Sequence, residues 1–165
     1  MKRPLLFVIR IVALSALLAA LVAARPQEKD ILPSGDTTLS ATISKKDILV
    51  HIHTVKLKKS DAGFPGALEQ YEEVSMVPRM SISVNGQEIW IPRSAYADVF
   101  NPRKAFLKYE GGIFVLLIGG ADGADSYSVH IRFDSDRVIS RTVYNTVNPP
   151  RVSEKTIYSK TEMIG

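Results

Sequence analysis

Three histidines, a glycine-rich acidic loop, a cluster of arginines and one loop phenylalanine are the residues whose types and spacing suit chemistry or binding. His51 and His53 stand two apart in an alternating stretch. On a strand both imidazoles would leave the same face and could meet one metal ion. Zinc and copper sites take three or four such ligands, and His130 is the one histidine left to supply a third. The ligand set is incomplete. No metal and no cofactor is therefore expected, and His51, His53 and His130 stand as the candidate ligands if a metal does bind.

The segment Gly119-Gly120-Ala121-Asp122-Gly123-Ala124-Asp125-Ser126 is the most unusual loop. Asp122 and Asp125 offer oxygen ligands of the kind calcium prefers, but no calcium-loop pattern surrounds them. Asp side chains that bond their own backbone in a turn explain the same residues. Phosphate cradling by the glycines is disfavoured, because no helix carrying a lysine follows them. Arg132, Arg137 and Arg141 surround the Asp134-Ser135-Asp136 turn. They read as a patch for an anion or an acidic partner. The alternative is a solvated face on which those two aspartates neutralise them. Phe64, between Gly63 and Pro65 in a polar loop, is either an exposed aromatic anchor for a partner or a cap on one end of the core.

Catalysis asks for more. Hydrolysis by a nucleophile needs a base and an orienting group in contact with it, and no local motif groups the serines, histidines and acids in that way. The chain has no cysteine, so cysteine nucleophiles, thiolate metal sites and disulfides are all excluded. No catalytic residue is assigned. The expected function is that of a non-catalytic binding or interaction module. A hydrolase with a dispersed site, and a structural subunit that assembles through a sheet edge, are the alternatives.

The elements that must position these residues are strands. From Thr37 onward apolar residues recur at period two, as in Leu39, Ala41 and Ile43, or Tyr127, Val129, Ile131 and Phe133. Ile48, Val50 and Ile52 alternate, and then Val55 and Leu57 continue out of phase, which predicts a bulge near His53 or Thr54. Asn85-Gly86 predicts a two-residue hairpin with Ile82 facing Ile89 and Met80 facing Ile91, and with Trp90 on the more polar side. Gly111-Gly112 predicts a second hairpin. Ile113 to Ile118 has no polar face and is expected to be a central strand covered on both sides. Ser94 to Phe100 is expected to form a short helix capped by Ser94. Val152 to Tyr158 is expected to be a last strand at a sheet edge. Short strands with turns every eight to twelve residues or so predict an all-β, mainly antiparallel two-layer sandwich or barrel-like domain.

The amino-terminal end reads differently. Lys2, Arg3 and Arg10 precede an uncharged run from Ile11 to Val22, and Ala23 and Ala24 follow. That order predicts a cleavable signal peptide over 1–24, a flexible leader over 25–36 and one β domain over 37–165. The apolar run is short of the ~20 residues that a membrane-spanning helix needs, so no span is expected after processing. The expected location is the bacterial periplasm or outside the cell. Three of the 21 basic residues lie in the first ten positions, so the processed chain would hold 18 basic against 17 acidic residues. A charge this balanced, without a basic stripe, argues against a nucleic-acid partner. The expected partner is an envelope protein or a second copy bound through a sheet edge.

Overall fold

The computed structural model describes residues 27–159 apart from 122, 124, 125 and 148; residues 1–24, where a signal peptide was expected, lie outside the described residues. Among the described residues, ten strands form two antiparallel sheets. They are β1 (Gln27–Asp30), β2 (Gly35–Ile43), β3 (Lys46–Lys58), β4 (Glu73–Val84), β5 (Gln87–Glu88), β6 (Pro102–Glu110), β7 (Ile113–Gly120), β8 (Tyr127–Phe133), β9 (Val138–Asn145) and β10 (Arg151–Ile157). One sheet has the order β2-β3-β4-β5, and the other has the order β1-β6-β7-β8-β9-β10. Their inner faces share one core. Leu39, Val50, Ile52 and Ile82 come from the smaller sheet, and Leu107, Leu116, Ile118, Ile131 and Phe133 from the larger. Each of these nine is fully buried. The all-β, two-layer architecture expected from period-two patterning is present.

Several local expectations hold. The register shifts between His53 and Val55, where the bulge was placed. Pro78 lies in the β4 stretch opposite this shift, so a residue without a backbone N–H costs no regular ladder bond there. Asn85 and Gly86 both have positive φ, 52° and 78°, as a primed two-residue turn requires. Ile89 N–H donates to the Ile82 carbonyl at 2.9 Å, and both side chains are buried. Gly111 and Gly112 turn the chain from β6 into β7 with φ of 57° and 87°. β10 is the edge strand at one side of the larger sheet.

Others are corrected. Residues 25–36 were expected to be a flexible leader, but β1 pairs with β6 from Gln27↔Leu107 to Asp30↔Lys104, and β2 starts at Gly35. β1 is an edge strand of Gln, Glu, Lys and Asp. Ladder hydrogen bonds and the Lys104–Glu28 ion pair hold it, and neither leaves a hydrophobic period. The expected helix near Ser94 is a single 3-10 turn, Arg93–Ala95, with Pro92 at the cap position. Ser94 does not cap it, and its hydroxyl instead donates to the Tyr158 hydroxyl at 3.4 Å.

The pairing of Met80 with Ile91 does not form either. The chain leaves β4 after Ile89, and Trp90 bridges to Arg137 in the larger sheet. Trp90 N–H donates to the Asp136 carbonyl, and the Trp90 carbonyl accepts from Val138 N–H. The indole is 57% exposed, on the polar side as expected. β7 is central, but among the described residues no third layer covers its outer face. Val115 is buried there between Lys108 and Arg132, its register neighbours, whose long side chains can lie over it.

Candidate functional site

The site begins with one arginine on a core face. Arg141 pairs in register with Ile131 of β8 and Thr156 of β10. Directly opposed residues of an antiparallel ladder share a face, and Ile131 belongs to the core. Alternation therefore sends the guanidinium inward, in phase with Val143. Its side chain is only 3% exposed. A buried cation must be paired and hydrogen-bonded, and this one is. Nη2 donates to both Asp98 oxygens at 2.7 Å, and Nη1 donates to Glu154 Oε1 at 2.7 Å. Nε has no hydrogen-bond partner among the described residues.

Two elements bring the carboxylates. Asp98 lies on the crossover between β5 and β6, where Ala95 and Val99 are buried and dock the segment onto the core. Glu154 follows a bulge in β10, where the register moves from Val152↔Tyr144 to Glu154↔Val143. That one-residue offset places Glu154 on the same face as Val143 and Arg141. Both carboxylates stay open to solvent, at 61% and 50% exposure. Hydrogen bonds from Arg141, and secondarily Thr156, lower the pKa of Glu154 below the ordinary carboxylate value.

Around the trio lies an open cleft of about 390 Å³, lined by Phe100, Tyr127, Val129, Tyr144 and the Arg141 trio among others. That volume lies within the range of small-molecule sites. Tyr127 donates its hydroxyl to the Phe100 carbonyl at 2.5 Å, and the two rings stand 5.3 Å apart. Burial pushes the Tyr127 pKa up, so the phenol stays neutral. Gly120 makes this crossing possible. A Cβ there would lie 2.5 Å from the Tyr127 hydroxyl and 2.8 Å from the Asn101 carbonyl. With one guanidinium against two carboxylates, the trio carries a formal surplus of one negative charge.

The three arginines grouped around the Asp134-Ser135-Asp136 turn do not converge. Arg132 is on the outer face of the larger sheet beside Val115. Arg137 donates Nη1 to the Tyr158 carbonyl at 3.0 Å. Arg141 is inside, its charge already met by acids. The turn's own Asp134 accepts from the backbone N–H groups of Asp136 and Arg137 instead of neutralising an arginine.

The histidines separate as well. His51 and His53 stand on the outer face of the smaller sheet, and His130 stands on the outer face of the larger one, its ring 4.6 Å from that of Tyr144. No group of three or more His, Cys, Asp or Glu is placed to hold a metal among the described residues. Thr38 and His51 make a hydroxyl–imidazole contact of 2.9 Å, but the adjacent carboxylate, Asp36, engages His53. A nucleophile–base–acid relay is therefore not assembled there.

Phe64 is half-buried in the loop between β3 and β4, its N–H donating to the Asp61 carbonyl at 3.2 Å. Asp122 and Asp125 lie outside the described residues. Asp98, Phe100, Tyr127 and Glu154 were not singled out from the sequence. The available signal was Arg141 itself, a charged residue in the apolar phase of Ile139 and Val143. Such a residue must find acids elsewhere in the fold.

Comparison with known proteins finds no matching protein family, no matching curated protein and no matching solved structure.

Proposed function

We propose that this protein is an exported binding module, periplasmic or secreted, that holds a cationic group of its ligand in the Arg141 cleft. The observation that supports this reading is the exposure of Asp98 and Glu154. Each spends one side on the buried guanidinium and keeps oxygen lone pairs turned to solvent at the mouth of the cleft. An amine or guanidinium entering there gains charge-assisted hydrogen bonds, and the Phe100 and Tyr127 rings offer apolar and cation–π contact. The neutral Tyr127 and the absence of a histidine from the cleft lining suit binding better than proton transfer.

Titration of the ¹⁵N-labelled domain with spermidine, and separately with glutarate, tests the reading. Spermidine should move the amide signals of residues 98–100, 126–127 and 153–154, and glutarate should leave them in place. Glu154→Gln should weaken the spermidine response several-fold while the domain stays folded. A response to glutarate instead, or spermidine shifts located elsewhere, would overturn the assignment.

A further inference from the structure

The outer face of the smaller sheet carries a second arrangement, independent of the cleft. β3 places His51 and His53 two residues apart, with Val50 and Ile52 buried on the opposite side. Their Cα atoms are therefore about 6.6 Å apart on one face. β2 supplies each imidazole with a partner directly across the ladder, Thr38 opposite His51 and Asp36 opposite His53. Thr38 Oγ1 lies 2.9 Å from His51 Nδ1, and Asp36 Oδ1 lies 2.8 Å from His53 Nδ1. In both rings the hydrogen bond occupies Nδ1, and Nε2 takes part in no bond of the described residues. Metal-binding histidines are oriented in this way, with the far nitrogen tied to a carboxylate or another polar group and the near nitrogen free.

We propose that His51 and His53 chelate one divalent transition-metal ion through their Nε2 atoms, Cu²⁺ more tightly than Zn²⁺. Two Nε2 atoms at metal–nitrogen distances of about 2.0–2.1 Å must come within roughly 3 Å of one another. Both rings are on an open face, and tilting them together needs only side-chain rotation, with Thr38 and Asp36 following on the neighbouring strand. Asp36 engages Nδ1 of His53 and so leaves Nε2 as the nitrogen that can face a metal. Arg79 lies opposite His53 on β4, and its positive charge is offset by Asp36 on the other flank. With two protein ligands, the ion keeps positions for water or for a donor from another molecule. Imidazole ligands and the order of divalent-ion affinities favour copper over zinc.

Isothermal titration and electron paramagnetic resonance of the purified protein with CuSO₄ test this. One Cu²⁺ should bind per chain, with a spectrum showing coordinated imidazole nitrogen. His51→Ala and His53→Ala should each weaken binding at least tenfold, and Asp36→Ala should weaken it about tenfold or more, as loss of an outer-shell partner does. His130→Ala should leave it unchanged. Circular dichroism of each variant checks that the fold is intact. The proposal is overturned if no saturable Cu²⁺ binding is seen, if the site survives both His51→Ala and His53→Ala, or if His130→Ala removes it.

Discussion

His130 is a half-buried base in a cationic neighbourhood. Its register neighbours on the outer face of the larger sheet are Leu117 and Thr142, and Lys108 and Arg132 are near enough to act on its charge. Burial lowers its pKa below the ordinary 6.5, Lys108 and Arg132 add to the effect, and Glu110 opposes it. The folded state thus prefers the neutral ring, and the unfolded chain binds the proton first as pH falls. Stability should therefore be full above the ordinary histidine value and decline as pH drops below it. Urea unfolding at about pH 7 and about pH 5 should show a loss that shrinks in His130→Gln. An equal loss in the variant would mean that other groups carry the dependence. Glu154 and Glu110, whose pKa values are lowered by Arg141 and Lys108 respectively, act at lower pH, in the carboxylate range. Arg141 itself contributes through placement. Removing its carboxylates one at a time should leave it partly paired, whereas removing both strands a buried cation at high cost.

At the scale of elements, turns and edges do the specifying. The β4–β5 hairpin rests on Asn85 and Gly86, and a Cβ built at Gly86 meets nothing within 4 Å. The cost of a side chain there is then the backbone term alone, since φ is +78°. Gly86→Val should destabilise the domain by about 1–2 kcal/mol in chemical denaturation. Gly119→Ala is the matched control, because Gly119 also has open space around its Cβ position but no positive φ. It should be close to neutral, and equal losses in the two variants would refute the turn argument. β10 shows how an exposed edge is managed. Val152 and Ile157 are open to solvent at 57% and 72%, yet Arg151, Glu154, Lys155 and the bulge interrupt the strand. Charges and bulges on an edge discourage pairing with another chain. The same bulge turns Glu154 toward Arg141, so one irregularity serves both ends.

For the whole molecule, the two sheets differ in width. Six strands face four, and the cleft lies over β8, β9 and β10 of the larger sheet. The crossover from Trp90 to Asn101 brings Ala95 and Val99 into the core, and Tyr158 packs into the same core. What remains open is the space between Asp98, Phe100 and the β8–β10 face. The proposed export is tested at the same scale. Under the proposed reading the chain loses 1–24, and β1 starts at Gln27, close behind the cut. Intact-mass analysis of the protein collected from outside the cytoplasm should give a new amino terminus at or near Arg25. Recovery of a chain that retains Met1 in the membrane fraction would reject cleavage.

The sequence by itself determined the strand character, the two glycine turns, the bulge after His53, the edge position of the last strand and the two-layer architecture. All of these follow from properties of a few neighbouring residues: alternation of side chains, positive φ, and a slip in phase. β1 escaped because a four-residue polar edge strand has no apolar phase to read, and Trp90 escaped because its partner is in the other sheet. The cleft belonged wholly to the tertiary structure. Arg141 signals a need for acids, but Asp98 and Glu154 lie 43 and 13 residues away along the chain. Which acid meets it depends on which strands become neighbours, on a single-residue offset in β10 and on a crossover drawn inward by Ala95 and Val99. The histidines divide on the same principle. Period two was enough to put His51 and His53 on one face, while only the pairing of β2 with β3 decided that Thr38 and Asp36 would hold their Nδ1 atoms, because a cross-strand partner is fixed by register and not by spacing along the chain.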